Sequence, residues 1–247
     1  MPDYAEFVTT MTEASQTSRE AGLLSISSFF KHFSKERQLA VAEEPGLLAA
    51  VEPFLRGGGD KADTAIDLLL ELAKWESGEH NATTRRCAAA IFDSPCFSSV
   101  KDIADGMVET GSTMRLKRKA WQVIRKVASI EEERKKAAFD SAHMVAVLQA
   151  GLESKDDHIS ESATVAASNL CISAEVASDL LDSHPDLVKT LVNTFSTSGV
   201  CKKFKRKSQP PTASLSLSLS LSLSLSLSLS LSLSLSLSLV LLRFISF

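Results

Sequence analysis

The sequence predicts an all-α fold, an α-solenoid of roughly three to four helical repeats with a low-complexity C-terminal tail. Three observations lead to it. Ahead of the tail the chain is rich in Ala, Leu, Glu, Lys and Ser, and all 247 residues hold only 10 Gly and 7 Pro, a composition that favours helix over strand. Apolar residues recur at helical spacing over most of residues 3–197. The chain also repeats itself. "LLSISSFFK" from Leu23, "AIDLLLELA" from Ala65, "AWQVIRKVA" from Ala120 and "ATVAASNLC" from Ala163 align, at steps of 42, 55 and 43 residues. Self-similarity at such a pitch marks stacked helical units, each too small to bury its apolar face alone.

Each unit reads as three helices. The anchor stretches form the long one, predicted near residues 19–33, 61–75, 115–129 and 160–172. Each has an apolar residue at the eighth place (Phe30, Leu72, Val127, Leu170), and Ala65, Ala120 and Ala163 are small enough for neighbouring long helices to approach closely. Downstream, Phe92-Asp93-Ser94, Phe139-Asp140-Ser141 and Leu181-Asp182-Ser183 recur. A further apolar helix follows: "PGLLAAVEPFL" from Pro45, "VKDIADGMV" from Val100, "AHMVAVLQAGL" from Ala142 and "PDLVKTLVNTF" from Pro185. Pro45 and Pro185 suit helix starts, because a first-turn N–H has no intrahelical partner and Pro has none to lose. "RGGGDK" at residues 56–61 reads as a helix–helix turn; it lacks the Gly-Lys-Ser/Thr of a phosphate loop, and no strand precedes it. The long step is explained by residues 74–86, "KWESGEHNATTRR", a polar stretch that reads as an extended loop.

A pitch near 42, built from long, short and medium helices, resembles the armadillo repeat over roughly residues 18–197. That family's third helix follows Ala-Leu-x-Ala-Leu-x-Asn-apolar-Ala. "ATVAASNLC" is similar, with Asn169 in the Asn place; "AIDLLLELA" and "AWQVIRKVA" match the apolar and small positions but carry Glu71 and Lys126 there. "AEVASDLLDS", "HPDLVKTLVNTF" and "ERQLAVAEEPGLLAAVEPFL" resemble the first and second helices. The resemblance implies a right-handed solenoid whose third helices line a concave groove. Its rungs would be Ser25 and Phe29, Asp67 and Glu71, Gln122 and Lys126, then Val165 and Asn169, with Arg125 beside Lys126.

The resemblance further implies a non-catalytic scaffold that binds a peptide or a folded protein in that groove. The ladder Asn supplies both a donor and an acceptor to an extended peptide backbone. A second implied role is a chaperone-type regulator that clamps a folded domain, such as an Hsp70 nucleotide-binding lobe, and promotes nucleotide exchange. Nuclear-import members carry a Trp one turn before the ladder Asn. Val165 holds that place here, and Trp121 is one residue out of register and expected in the core, so a reader of basic peptides is disfavoured. The groove charges instead divide, Asp67 and Glu71 on one rung against Arg125 and Lys126 on the next.

Charge excludes other classes. The net charge is −3, but no Asp or Glu follows Asp186, and the first 200 residues hold 21 basic against 30 acidic residues. So acidic a body argues against nucleic acid as partner. The basic stretch "RLKRKAWQVIRK" at residues 115–126 reads as a surface neutralised by the "EEER" that follows at 131–134. Cys87, Cys96, Cys171 and Cys201 form no C-x-x-C pair and have no His at ligand spacing, so reduced, mostly buried thiols and no metal or other cofactor are expected. The five His are dispersed, no nucleophile elbow occurs, and no small-molecule substrate or enzymatic activity is expected. The N-terminus lacks the basic and apolar regions of a signal peptide, which reads as cytoplasmic.

The domain organisation is a repeat domain at residues 1–199, a basic and Pro-containing linker at 200–213, and a tail at 214–247 that holds thirteen consecutive Ser-Leu pairs. Alternation spreads Leu around a helix, so no stripe forms. In a strand it puts every Leu on one face and makes an aggregation template. Half of the tract is Ser, which disfavours a membrane span. An alternating CT tract in DNA translates as Ser-Leu, so residues 200–247 are expected to be read-through of non-coding sequence into a truncated repeat protein. If the tail is native, "KKFKRK" at 202–207 is a nuclear-entry signal.

Overall fold

The structure is a computed structural model and describes residues 4–13, 15–30, 35–74, 81–106, 113–141 and 143–197. The expectations for residues 198–247, including the Ser-Leu tract, the basic cluster and Cys201, lie outside the described residues, as do His32 and His80. Among the described residues there are thirteen α-helices and no strand: α1 (Tyr4–Thr12), α2 (Gln16–Phe30), α3 (Lys35–Ala42), α4 (Leu47–Arg56), α5 (Gly59–Leu72), α6 (Asn81–Asp93), α7 (Cys96–Asp105), α8 (Met114–Val127), α9 (Glu132–Asp140), α10 (Met144–Leu152), α11 (Asp157–Leu170), α12 (Ala174–Ser183) and α13 (Pro185–Thr197).

The helices group in threes. The triplets α3–α5, α6–α8 and α9–α11 are complete, α1 and α2 precede them, and α12 and α13 follow. Like positions stack on like. The third helices α2, α5, α8 and α11 pack in chain order, and so do the second helices α4, α7, α10 and α13. Among the first helices, α3 packs on α6 and α9 on α12. The predicted long helices are found within three residues of their expected starts, and Ala65, Ala120 and Ala163 are all fully buried between them. Each triplet contributes one slice to a continuous apolar core that runs from Met11 to Leu187, as stacked repeats require.

Ion pairs one repeat apart tie successive first helices. Arg86 on α6 lies 2.6 Å from Glu43 beside α3, Arg134 on α9 pairs with Asp93 on α6, and Lys136 on α9 pairs with Asp179 on α12. The separations are 43, 41 and 43 residues.

Two local expectations are corrected. Residues 74–86 are not a loop throughout, because α6 begins at Asn81. Thr84 is buried and its hydroxyl donates to the Lys74 carbonyl at 3.4 Å, while Arg86 reaches Glu43. These anchors draw the polar segment into helix, so α6 has 13 residues against 8, 9 and 10 for the other first helices. The second helix of that triplet starts at Cys96 and not at Val100, because Pro95 occupies its N-cap. The glycine-rich turn is as expected: Gly58 and Gly59 hold φ of 68° and 61°, backbone that glycine adopts at no steric cost.

Trp121 fixes the middle of the core. It is 1% exposed, and a Cβ placed on Gly151 would come within 2.2 Å of its ring and 2.8 Å of the Ala163 methyl. Gly151 sits inside α10, where glycine costs about 1 kcal/mol relative to alanine; the indole needs the missing side chain's space. The far end differs. On α13 Leu187 is buried, Val188 and Leu191 are half-buried and Val192 is exposed. No helix among the described residues is long and apolar enough to cross a membrane.

Candidate functional site

The candidate site is the solvent side of the third-helix layer. Aligning α5, α8 and α11 by their starts puts Asp67, Gln122 and Val165 on one row and Glu71, Lys126 and Asn169 on the next. Asp67 and Gln122 are exposed, and Glu71, Lys126, Val165 and Asn169 are half-buried. Ser25 on α2 is exposed, whereas the side chain of Phe29 lies outside the described residues.

α8 divides its cations between two neighbours, and helix geometry explains how. Residues seven apart lie two turns along one side of a helix. Lys119 and Lys126 face α5. The Lys119 ammonium donates to Asp63 at 2.7 Å and to Asp67 at 2.8 Å, and the Lys126 ammonium donates to the Ala73 carbonyl at 2.9 Å. That carbonyl lies just past the end of α5, where a cation also meets the negative end of the helix dipole. Arg115 adds a 3.3 Å contact to Asp63. Arg118 and Arg125 lie on the side that faces α11. Arg118 donates twice to Asp156, at 2.9 and 2.7 Å. Asp156 is the N-cap of α11 and accepts from the His158 and Ile159 amides. The Arg118 guanidinium and these amides hold the Asp156 carboxyl below its ordinary range, against a smaller desolvation effect.

The expected division of charge is therefore altered. Asp67 is bound by Lys119, and Glu71 lies 3.2 Å from Lys74 in its own helix. Within the stretch at 115–126, Arg115 and Lys119 pair with Asp63 and Asp67 and Arg118 pairs with Asp156, and among the described residues none pairs with residues 131–134; Arg134 instead pairs with Asp93. The reason is geometric. The four residues after α8 turn away into α9, while the facing sides of α5 and α11 lie directly alongside α8. These pairs were missed in the sequence, where the signal was opposite charge at about one repeat's separation, as Glu20 and Lys61 also display. Arg125 is exposed and makes no ion pair among the described residues, and the Asn169 amide makes no side-chain hydrogen bond among them.

Other chemistry finds little support. A groove with a cavity volume of about 850 Å³ lies among α9, α10, α12 and α13, lined in part by Phe139, Met144, Asp179, His184 and Leu187. Its carboxylates Asp140 and Asp179 both hold Lys136, and the His184 ring packs edge-on against Phe139 at 6.0 Å. Among the described residues no group of three His, Cys, Asp or Glu could hold a metal ion. Cys96 donates to the Leu48 carbonyl at 2.9 Å, and burial pushes its thiol up to about 12; burial pushes Cys171 up to about 11. Neither is a thiolate near neutral pH.

No family model matches the sequence, and no curated protein matches it. Solved structures do. A designed armadillo repeat protein in complex with the peptide (KR)4 is similar over 85% of this chain and 94% of its own, at 13% identity and a TM-score of 0.55. A second designed armadillo repeat protein covers 78% of this chain and 80% of its own, at 14% identity and a TM-score of 0.52. An engineered protein covers 79% and 71%, at 13% identity and a TM-score of 0.52. At these identities the likeness concerns the fold, and with the stacked triplets it leads to one conclusion: this chain has the armadillo-like helical-repeat fold.

Proposed function

We propose that the chain is a non-catalytic protein-interaction scaffold that binds an extended peptide along its third-helix layer. The observation that carries this reading is the pair of neighbouring rows that hold Gln122 on α8 and Val165 and Asn169 on α11. Gln122 is exposed, Val165 and Asn169 are half-buried, and the Asn169 amide has both a donor and an acceptor to offer. An extended peptide presents alternating N–H and C=O groups, which a side-chain amide can match one for one. One designed neighbour of this fold is complexed with a peptide, (KR)4, which supports the mode of binding without fixing this chain's partner.

The test is selection of random ten-residue peptides on the full chain, with affinities then measured for the wild type and for Asn169→Ala. The reading expects an enriched pool whose members bind N169A roughly tenfold more weakly, the effect of about 1.4 kcal/mol of lost hydrogen bonding. It is overturned if no peptide is enriched, or if N169A binds the pool as tightly as the wild type. A chain that captures only folded domains, an Hsp70 nucleotide-binding lobe among them, would be a clamp instead.

A further inference from the structure

The two furrows that flank α8 are built from matching helix positions but treat charge differently. In the α5–α8 furrow every cation of α8 has a partner: Lys119 and Arg115 on the aspartates, Lys126 on a carbonyl. In the α8–α11 furrow Arg118 is held at one end by Asp156. Two turns further along, Arg125 stands exposed with no ion pair among the described residues. Its counterparts in the aligned helices are Leu70 on α5 and Ser168 on α11. A cation at this position is therefore no part of the repeat's own framework.

Across from Arg125 stands α11, which packs directly on α8. Val165 and Asn169 lie one turn apart on α11, and Ile172, 62% exposed, follows where the same stripe passes the helix end. Arg125, with no ion pair among the described residues, and the Asn169 amide and aliphatic side chains of the adjacent α11 call for a ligand with the complementary set. We infer that this furrow takes an extended peptide segment in which an acidic side chain neighbours an aliphatic one. The carboxylate pairs with Arg125, the backbone with Asn169, and the aliphatic side chain packs on Val165 and Ile172. Charge complementarity selects the occupant. A basic segment would set its cation against Arg125, and a segment with no acid would leave the guanidinium unanswered. The body's acidic balance opposes such a ligand at long range, but that repulsion is screened over about 8 Å in physiological salt, while the Arg125 contact is local.

This inference rests on the peptide-binding reading, and the same selection separates the two. The random pool is selected in parallel on the wild-type full chain and on Arg125→Glu, with circular dichroism to verify that the variant is folded and Arg125→Gln as a second, uncharged variant. The expected result is a wild-type pool rich in Asp or Glu next to Leu, Ile or Val. That acidic preference disappears with R125Q and turns to Lys or Arg with R125E, and individual acidic peptides lose about tenfold in affinity for R125Q. A wild-type pool without acidic preference, or one whose preference survives in R125E, overturns the inference and leaves the peptide-binding reading standing. An empty wild-type pool overturns both.

Discussion

The furrows on either side of α8 make the most instructive contrast in the molecule. The same helix packs on both neighbours but, among the described residues, sets a cluster of ion pairs toward α5 and one, Arg118 to Asp156, toward α11. Lys119 reaches between Asp63 and Asp67, and its side chain is only 14% exposed. On the other side the Trp121 ring lies close against Gly151 of α10, and the ion pair toward α11, Arg118 to Asp156, sits at the helix start. Charge that holds helices together is committed and cannot read a partner. Where packing holds the helices, charge at the surface is left over. The position of an available cation thus follows from which force joins each pair of repeats, not from where the sequence is most basic.

This contrast can be broken at its strongest point first. Trp121→Ala removes the buried indole and should cost about 3–5 kcal/mol of stability in urea denaturation, with little dependence on salt. A loss under 1 kcal/mol would mean that the Trp121 ring does not hold the middle of the core. Gly151→Ala tests the same contact from the other side. Helix propensity alone would make it stabilising by about 1 kcal/mol; the clash with Trp121 should reverse the sign and cost about 1–3 kcal/mol. A more stable G151A protein would contradict the close approach.

Asp156→Ala loses an N-cap, worth about 1 kcal/mol, and leaves Arg118 without its partner. The pH dependence has a definite sign. The folded-state value of the Asp156 carboxyl lies below its ordinary 3.8, chiefly through Arg118. Its contribution is therefore complete above about pH 4 and is lost as pH falls further, through the folded-state value. The wild type and D156A should converge in stability in that acidic range and differ above it; a gap that persists at low pH would assign the loss to the backbone instead.

The core of this fold was legible before any coordinates because it repeats. An apolar stripe at helical spacing, returning after 42, 55 and 43 residues, leaves few alternatives, and Ala65, Ala120 and Ala163 lie where that stripe requires small residues. Trp121 was expected inside on the same ground, by its register. The α6 start was less visible, since "NATTRR" is polar and becomes helical through contacts with Lys74 and Glu43 that sequence does not display. The site was only half legible. The rows could be laid out from the alignment, so Asn169, Val165 and Gln122 could be named as candidates. Which of the charges on those rows were free could not be, because Asp67 is neutralised by a residue 52 positions away on another helix. A search for opposite charges one repeat apart would have found several of these pairs.

The most direct measurement compares two residues of one helix. Lys119→Met and Arg125→Met each remove a single cation from α8 and keep an apolar stem. Stability of each is measured in urea at low and high salt, and affinity is measured for one acidic peptide from the selected pool. The account predicts a crossed result. K119M loses about 1 kcal/mol, less at high salt, and binds the peptide as the wild type does. R125M keeps its stability within about 0.5 kcal/mol and binds roughly tenfold more weakly. If both variants change in the same way, or if R125M is the one that loses stability while binding holds, then α8 does not divide its charge between structure and recognition, and the account is wrong.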